Sequence, residues 1–213
     1  SKSGKIFMEG FHYYYHPVFQ RLLAILKSGE IGEVIKVESA LLINMPKKDD
    51  LRLQFDLAGG SLMDVGCYAI HSQRMISQLI TDGEPAVVKA EANAADGKID
   101  TKLYVQLKYP NGVAALAKGD FETEGMQAPL TVTGSKGSVY LPNFVASGLD
   151  PRVIVESGGQ KRVEHLPPIS TYTYQLLAFA DAVDLGKPVK TDAKDALAQS
   201  ALIDSAYLSA QLP

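Results

Sequence analysis

Hydrophobic positions in the first 83 residues form two helix-like repeats and two strand-like runs. The first repeat has i, i+3, i+4, i+7 spacing and comprises Phe19, Leu22, Leu23 and Leu26. This spacing predicts a helix that begins near Pro17 and ends at Gly29. Residues 33–45 are rich in β-branched and aliphatic side chains and predict a strand. The unalternating run 5–10 predicts a short buried strand, and 61–80 predicts a second helix.

The pattern changes after residue 85 to short strands separated by turns. The predicted strands span 86–94, 101–109, 113–121, 130–134, 138–141, 152–156 and 161–165. Turns such as Pro110-Asn111-Gly112 and Gly158-Gly159 favour antiparallel hairpins. Two helices are expected at the end of the chain, over 172–185 and 193–210, with Thr191 or Asp192 as the N-cap of the second. Strands followed by helices predict an α+β fold with one open sheet and helices on one face.

Many positions on both faces of this sheet are apolar, which is costly on a solvated surface. An exposed apolar face of that kind usually marks an interface. We therefore expect the open face of the sheet to contact another protein surface.

Composition and charge exclude several classes of partner. Hydrophobic residues make up 46% of the 213, and 21 Lys and Arg against 24 Asp and Glu give a net charge of -3. No basic tract points to nucleic acid or an acidic membrane surface. The longest apolar stretches, such as 40–43, fall far short of the ~20 residues of a membrane span. The single cysteine, Cys67, excludes an intramolecular disulfide and fits a reducing cytoplasm.

The most informative segment for chemistry is 59–71. On a regular helix Asp64, Tyr68 and His71 fall at i, i+4 and i+7, so they would share one face and present acid and base groups from a rigid support. A solvated polar face would show the same spacing. Gly66 costs about 1 kcal/mol against Ala in mid-helix, which favours a close approach to its backbone. A metal site is disfavoured because no third ligand lies nearby.

A second cluster, residues 9–17, holds three tyrosines and two histidines between a predicted strand and a helix. Ligand clefts form at such sheet edges, so His12 and Tyr14 are candidate substrate contacts. An aromatic seam between domains is the alternative. No Gly-x-Gly occurs anywhere in the chain, and without that fingerprint it is not expected to bind a dinucleotide alone in the usual way.

Several segments resemble one family in order along nearly the whole chain. They are 8–17, 28–32, 59–68, 134–138 and 174–188, including the run Asp64-Val65-Gly66-Cys67-Tyr68. The set resembles the glucose–fructose oxidoreductase/inositol dehydrogenase (Gfo/Idh/MocA) family of NAD(P)-dependent oxidoreductases. The covered part resembles the family's second domain. The resemblance implies that residues 1–15 are the end of a missing Rossmann domain and that 16–213 form the substrate-binding and dimerisation domain.

The resemblance also implies a fold, a reaction and roles for residues. The fold is an open, mixed, largely antiparallel sheet like the second domain of dihydrodipicolinate reductase, which associates into a homodimer or tetramer through its open face. The reaction moves a hydride between NAD or NADP and a sugar, polyol or diol. Asp64 matches the active-site carboxylate. Tyr68 matches the acid/base and cofactor-contact position, as in the glucose–fructose oxidoreductase and dimeric dihydrodiol dehydrogenase branch. The family often has Arg at the position of Tyr14, and His71 matches no family position and stays a candidate substrate contact.

Two other interpretations remain open from the sequence. One is a non-catalytic carbohydrate-binding or dimerisation module. The other is a cofactor-independent lyase or isomerase that uses Asp64, Tyr68 and His71 together. The family's lysine, which would assist a phenol of pKa ~10 near neutral pH, is absent from this chain. We therefore expect the chain alone to be inactive as an oxidoreductase.

Overall fold

One mixed sheet of eight strands organises the computed structural model, which describes residues 4–213. The strand order is β2-β3-β4-β1-β5-β6-β7-β8. Only β1 and β4 pair in parallel, and every other neighbouring pair is antiparallel. The strands are β1 Val34–Leu42, β2 Ala86–Asn93, β3 Lys102–Lys108, β4 Ala114–Asp120, β5 Leu130–Gly134, β6 Gly137–Leu141, β7 Arg152–Ser157 and β8 Gln160–His165. The predicted open, mixed, largely antiparallel α+β fold is confirmed.

Within the described residues, four α-helices accompany the sheet. They are α1 Pro17–Ser28, α2 Cys67–Thr81, α3 Thr171–Leu185 and α4 Ala193–Ser209. The His16 side chain caps α1 by accepting from the Val18 N–H, and Gly29 ends it in the left-handed conformation. Asp192, one of the two expected caps, accepts from the Asp195 N–H at the start of α4. Local signals in the sequence therefore set these helix ends.

Helices α1, α2 and α4 cover one face of the sheet, and the core lies between them and the strands. A row of buried apolar residues crosses this inner face in register: Leu107, Ala115, Val37, Val132, Val139 and Val155. Ser39 lies on the same face and donates to the Ala69 carbonyl of α2. Burial of this row stabilises the packing of the sheet against the helices.

The opposite face of the sheet is mixed, and the expectation of two apolar faces is wrong. A row on this outer face reads Gln106, Leu116, Glu38, Thr131, Tyr140 and Ile154, and the row beside it reads Lys108, Ala114, Lys36, Thr133, Ser138 and Glu156. Strand periodicity alternates these side chains with the buried ones, so apolar residues counted along a strand belong mostly to the inner face.

The predicted strand over residues 5–10 is also wrong. No residue of this segment pairs with the sheet, whose edge strands are β2 and β8. The Glu9 N–H instead donates to the Thr191 carbonyl just before α4, and Phe7 remains exposed. An apolar run forms a strand only where a neighbouring strand supplies hydrogen-bond partners, and none lies beside these residues.

Candidate active site

An open cleft of about 620 Å³ lies beyond the end of β1, a volume within the range that holds small ligands. Besides β1, the cleft is lined by the turn that precedes α2 and the start of α2, the loop after β1, the start of α3, the segment that contains His12, and residues 145–149 after β6. Its polar side chains are His12, Asn44, Asp50, Arg52, Asp64, Tyr68, Ser170 and Thr171. The structure therefore brings together three of the five predicted site residues: Asp64, Tyr68 and His12.

A π-helical turn, Leu62–Gly66, places Asp64 at the cleft. Such wide turns are rare and frequently lie at functional sites. Gly66 packs against Gly119 of β4: a Cβ at Gly66 would lie 3.1 Å from the Gly119 Cα, and a Cβ at Gly119 would lie 2.6 Å from the Ser61 carbonyl oxygen. The close approach expected at Gly66 is confirmed, and its partner is the backbone of β4.

The buried carboxylate of Asp100 holds the first residues of this turn. The Ser61 hydroxyl donates to its Oδ2 at 2.6 Å, the Leu62 N–H donates to the same oxygen at 2.7 Å, and the Tyr207 hydroxyl donates to Oδ1 at 3.1 Å. Burial raises the pKa of Asp100, while these donors oppose the rise. The turn thus starts from a fixed point in the loop between β2 and β3.

Asp64 is oriented by an arginine from the loop after β1. The Arg52 Nε donates to Asp64 Oδ2 at 2.9 Å, and its Nη1 pairs with Asp50 Oδ1 at 3.2 Å. Among the described residues 4–213, Arg52 is the only lysine or arginine that lines the cleft. Two carboxylates therefore surround one guanidinium, and the charged rim of the cleft is net negative.

Tyr68 faces the cleft beside His12. The Tyr68 hydroxyl oxygen and the His12 Nε2 lie 3.4 Å apart, and the His12 ring lies against Tyr172 with 4.1 Å between ring centroids. Burial raises the pKa of Tyr68, and it lowers the pKa of His12 to about 4. At neutral pH the phenol therefore keeps its proton and the imidazole is uncharged.

His71 lies outside the cleft, in the core between α2 and α4. It is fully buried, its Nε2 lies 2.9 Å from Asp195 Oδ2, and its Nδ1 lies 2.6 Å from the Tyr13 hydroxyl oxygen. His71 follows Tyr68 by three residues on the regular helix α2 and is turned toward Asp195 of α4 and Tyr13 rather than toward the cleft. The π turn before α2 also moves Asp64 off the i, i+7 face. A ligand in the cleft does not reach His71. The lyase or isomerase interpretation, which needs Asp64, Tyr68 and His71 in one site, loses its structural basis.

Tyr14 is half-buried and lines a different cavity, together with Arg74 and Asp195. Its ring packs edge-on against Tyr15, 5.3 Å between centroids. Cys67 is a free thiol whose pKa is raised to about 12 by burial, so it is a poor nucleophile near neutral pH. Neither side chain belongs to the cleft that Asp64 and Tyr68 share.

Sequence reasoning missed Arg52, Asp50, Asn44 and the residues at the start of α3. Asp50, Arg52 and their neighbours form a polar loop in the sequence, with no periodicity that shows it folding back over the π turn. The sequence contains one signal of this loop contact, the pair Gly59-Gly60, because a Cβ at Gly59 would lie 2.6 Å from the Arg52 carbonyl oxygen. The Gly60 N–H donates to that same carbonyl. The pair of glycines therefore permits the loop contact that delivers Arg52 to Asp64.

Comparison with known proteins decides the family. The family model for the GFO/IDH/MocA C-terminal domain matches residues 19–140, a span that includes Asp64 and Tyr68. The chain is 32% identical over 215 residues to D-xylose 1-dehydrogenase (NADP(+)) 2 of Haloferax volcanii, covering 98% of this chain and 63% of that protein. The chain belongs to the Gfo/Idh/MocA family.

Other similar proteins have names that indicate different substrates. Trans-1,2-dihydrobenzene-1,2-diol dehydrogenase of Xenopus tropicalis is 24% identical over 164 residues, covering 76% of this chain and 47% of that protein. The fold is shared with the crystal structure of aldose-aldose oxidoreductase from Caulobacter crescentus complexed with glycerol, at a TM-score of 0.86 and 23% identity, covering 99% of this chain and 63% of that one. The chain thus spans less than two thirds of these relatives. None of its helices within 4–213 is long and apolar enough to cross a bilayer.

Proposed function

We propose that this Gfo/Idh/MocA chain is the substrate domain of an NAD(P)-dependent oxidoreductase that acts on a sugar, polyol or diol. The observation that carries the proposal is the placement of Tyr68 and Asp64 together in one cleft of ligand size. The proposal includes a dinucleotide-binding domain that ends at residues 1–15 and an enzyme that is inactive without it. The names of the relatives, which are dehydrogenases and reductases of sugars and a diol, support this reading.

The residues of the cleft fit the nicotinamide end of such a cofactor. Tyr172 and Val65 offer apolar surface beside Tyr68, and His12 Nδ1 is a buried polar atom without a partner in the described part of the chain. A bound nicotinamide would accept or donate the hydride. The Tyr68 oxygen would take the proton of the substrate hydroxyl in oxidation and return it in reduction. The Asp64 carboxylate, oriented by Arg52, would accept a hydrogen bond from a second substrate hydroxyl.

The charge of the cleft supports an uncharged substrate. Asp50 and Asp64 outnumber the single guanidinium of Arg52, and that guanidinium already pairs with both carboxylates. A phosphorylated or carboxylated sugar would therefore meet repulsion and would have to displace an existing ion pair. A neutral aldose, polyol or diol would meet donors and acceptors that need no displacement.

Helix α3 supports the presence of a further domain. Its side chains Tyr172, Leu176, Leu177, Val183 and Leu185 are more than half exposed, although they are apolar or aromatic. A dinucleotide-binding domain that packs on this row would cover it.

Self-association into a homodimer or tetramer through the outer sheet face, and a cytoplasmic location, remain predictions. Because the outer face is mixed rather than apolar, a dimer formed there should weaken with salt, which sedimentation velocity can measure.

Hydride transfer by the full-length protein tests the proposed function. NADP+ and NAD+ are each offered with D-xylose, D-glucose and a trans-diol, with glucose 6-phosphate as the matched charged substrate. We expect reduced nicotinamide to form with at least one neutral substrate, less with the phosphate, and none from residues 1–213 alone. Calorimetric binding of a sugar without any hydride transfer would favour the carbohydrate-binding module instead. Turnover of sugars without nucleotide would contradict both.

A further inference from the structure

We propose that His12 is a positioning residue for Tyr68: its imidazole, protonated at Nε2, donates to the Tyr68 hydroxyl oxygen and leaves the Tyr68 proton directed into the cleft. This inference rests on the proposed acid/base role of Tyr68 and extends it to a side chain from a different part of the chain. Here His12 acts through the phenol and does not itself exchange a proton with substrate.

The position of His12 is fixed by packing on several sides. It opens the short 3-10 turn His12–Tyr15, and only 4% of its surface is exposed. The ring lies against Tyr172 on one side, and its centroid lies 5.5 Å from that of Tyr68. The Nε2 is the ring nitrogen that faces the Tyr68 hydroxyl, at 3.4 Å. Hydrogen bonds in active sites are often this long before a ligand binds.

The other ring nitrogen indicates which tautomer is present. His12 Nδ1 is buried and has no hydrogen-bond partner among residues 4–213. A neutral imidazole carries one N–H, and a buried N–H without a partner costs more than an unused lone pair. The proton is therefore placed on Nε2, where the Tyr68 oxygen accepts it. The lowered pKa of His12, about 4, excludes the doubly protonated ring near neutral pH.

This hydrogen bond has consequences for proton transfer at Tyr68. An oxygen that accepts from His12 keeps its own O–H free to point at a substrate carbonyl. When Tyr68 gives that proton to the substrate oxygen during reduction, the phenolate that remains still accepts from Nε2–H, which stabilises the charged form. In oxidation Tyr68 first releases its proton to solvent, and the phenolate then takes the proton of the substrate hydroxyl. The imidazole keeps its single proton in both directions, so protons move only between Tyr68, substrate and solvent.

Imidazole nitrogen NMR on the chain tests the contact without any turnover. Residues 1–213 are labelled with 15N-histidine, and two-bond 1H–15N correlations are recorded at pH 7 for the four histidines. His12→Gln assigns the His12 signals. We expect the Nε2–H tautomer for His12, with nitrogen shifts that change in Tyr68→Phe. An Nδ1–H tautomer, or shifts that ignore Tyr68→Phe, would overturn the proposal.

Kinetics of the full-length protein provide a second, independent test of the proposal. His12→Phe keeps the ring against Tyr172 and removes the donor, whereas His12→Gln returns an amide N–H near the Nε2 position. We expect His12→Phe to lower kcat about tenfold with little change in KM, which corresponds to one hydrogen bond to a charged group. His12→Gln should recover most of the loss. Equal losses in both variants would contradict the donor role. Absence of hydride transfer in the wild type would count against the proposed function alone, because the NMR experiment requires no hydride transfer.

Discussion

Asp64 and Tyr68 share the cleft through an irregular turn, and His71, three residues further along, does not. Helical spacing predicted all three on one face, and that prediction assumed 3.6 residues per turn throughout. The π turn Leu62–Gly66 breaks this regularity at Asp64. Residue identities alone could indicate acid/base chemistry in this segment. They could not show which two of the three side chains face the cleft, because that depends on how α4 covers His71 and on how the turn packs against β4.

At the residue scale, His12 should make stability depend on pH. Its pKa is lowered by burial from 6.5 to about 4, so between these values the unfolded chain binds a proton that the folded chain does not. The stabilisation is therefore complete above pH 6.5 and is lost as the pH falls toward 4, by up to ~1.4 kcal/mol per pH unit. Urea unfolding from about pH 7 to pH 5 should show a shallower pH dependence in His12→Phe than in the wild type. His165→Gln, at an exposed histidine, is the control and should keep the wild-type slope. Parallel curves for the wild type and His12→Phe would contradict the buried, neutral assignment.

At the element scale, the contact between the π turn and β4 depends on two glycines. Gly66→Ala would bring its Cβ to 2.9 Å from the Leu62 Cδ1 and 3.1 Å from the Gly119 Cα, and Gly119→Ala would meet the Ser61 carbonyl at 2.6 Å. We expect each to lower the free energy of unfolding by about 1–3 kcal/mol, with Gly119→Ala the worse because a backbone atom cannot move aside easily. Gly10→Ala is the control, since a Cβ there has no atom within 4 Å. Urea denaturation measures the free energy of unfolding of all three variants. A wild-type value for Gly119→Ala would show that the contact is not tight.

A second prediction at this scale concerns the link between α1 and the edge strand β8. The Arg21 Nε and the Arg162 Nε donate to Glu164 at 2.6 Å and 2.8 Å, and these bonds lower the pKa of Glu164 from 4.5 to about 2. A depressed carboxylate pKa stabilises the fold above pH 4.5, and the effect is lost as the pH falls toward 2. Glu164→Gln should lower the free energy of unfolding by about 1 kcal/mol at pH 7, a modest loss because solvent screens this partly exposed network. The difference between the variant and the wild type should close in acid.

Thermal or urea unfolding at pH 7 and at about pH 3 measures this gap. Glu156→Gln is the matched control on β7, where an exposed pair with Lys161 leaves both side chains more than half exposed. That control should be nearly neutral at both values. A Glu164→Gln penalty of equal size at both pH values would contradict a charge-based link.

At the scale of the whole molecule, local signals predicted most elements but not their arrangement. The strand over 130–134 and the helix beginning at residue 193 match the structure, because turns, glycines and caps mark their ends. The parallel pairing of β1 with β4 brings together residues far apart in the chain, and no local pattern specifies it. The same limit explains the missed contact of Arg52 with Asp64 and the wrong strand at 5–10. Both depend on which segments lie side by side.

The most direct test of the account is the effect of Tyr68→Phe on hydride transfer in the full-length protein. The substitution keeps the ring in the cleft and removes the hydroxyl that exchanges the proton. With NAD(P) and a neutral sugar or diol that the wild type oxidises, we expect kcat to fall at least about 100-fold, the range for loss of a general acid/base. The KM should change little because the packing is retained. A Tyr68→Phe variant that keeps the wild-type kcat would contradict the central claim that this cleft performs the proton transfer of an oxidoreductase.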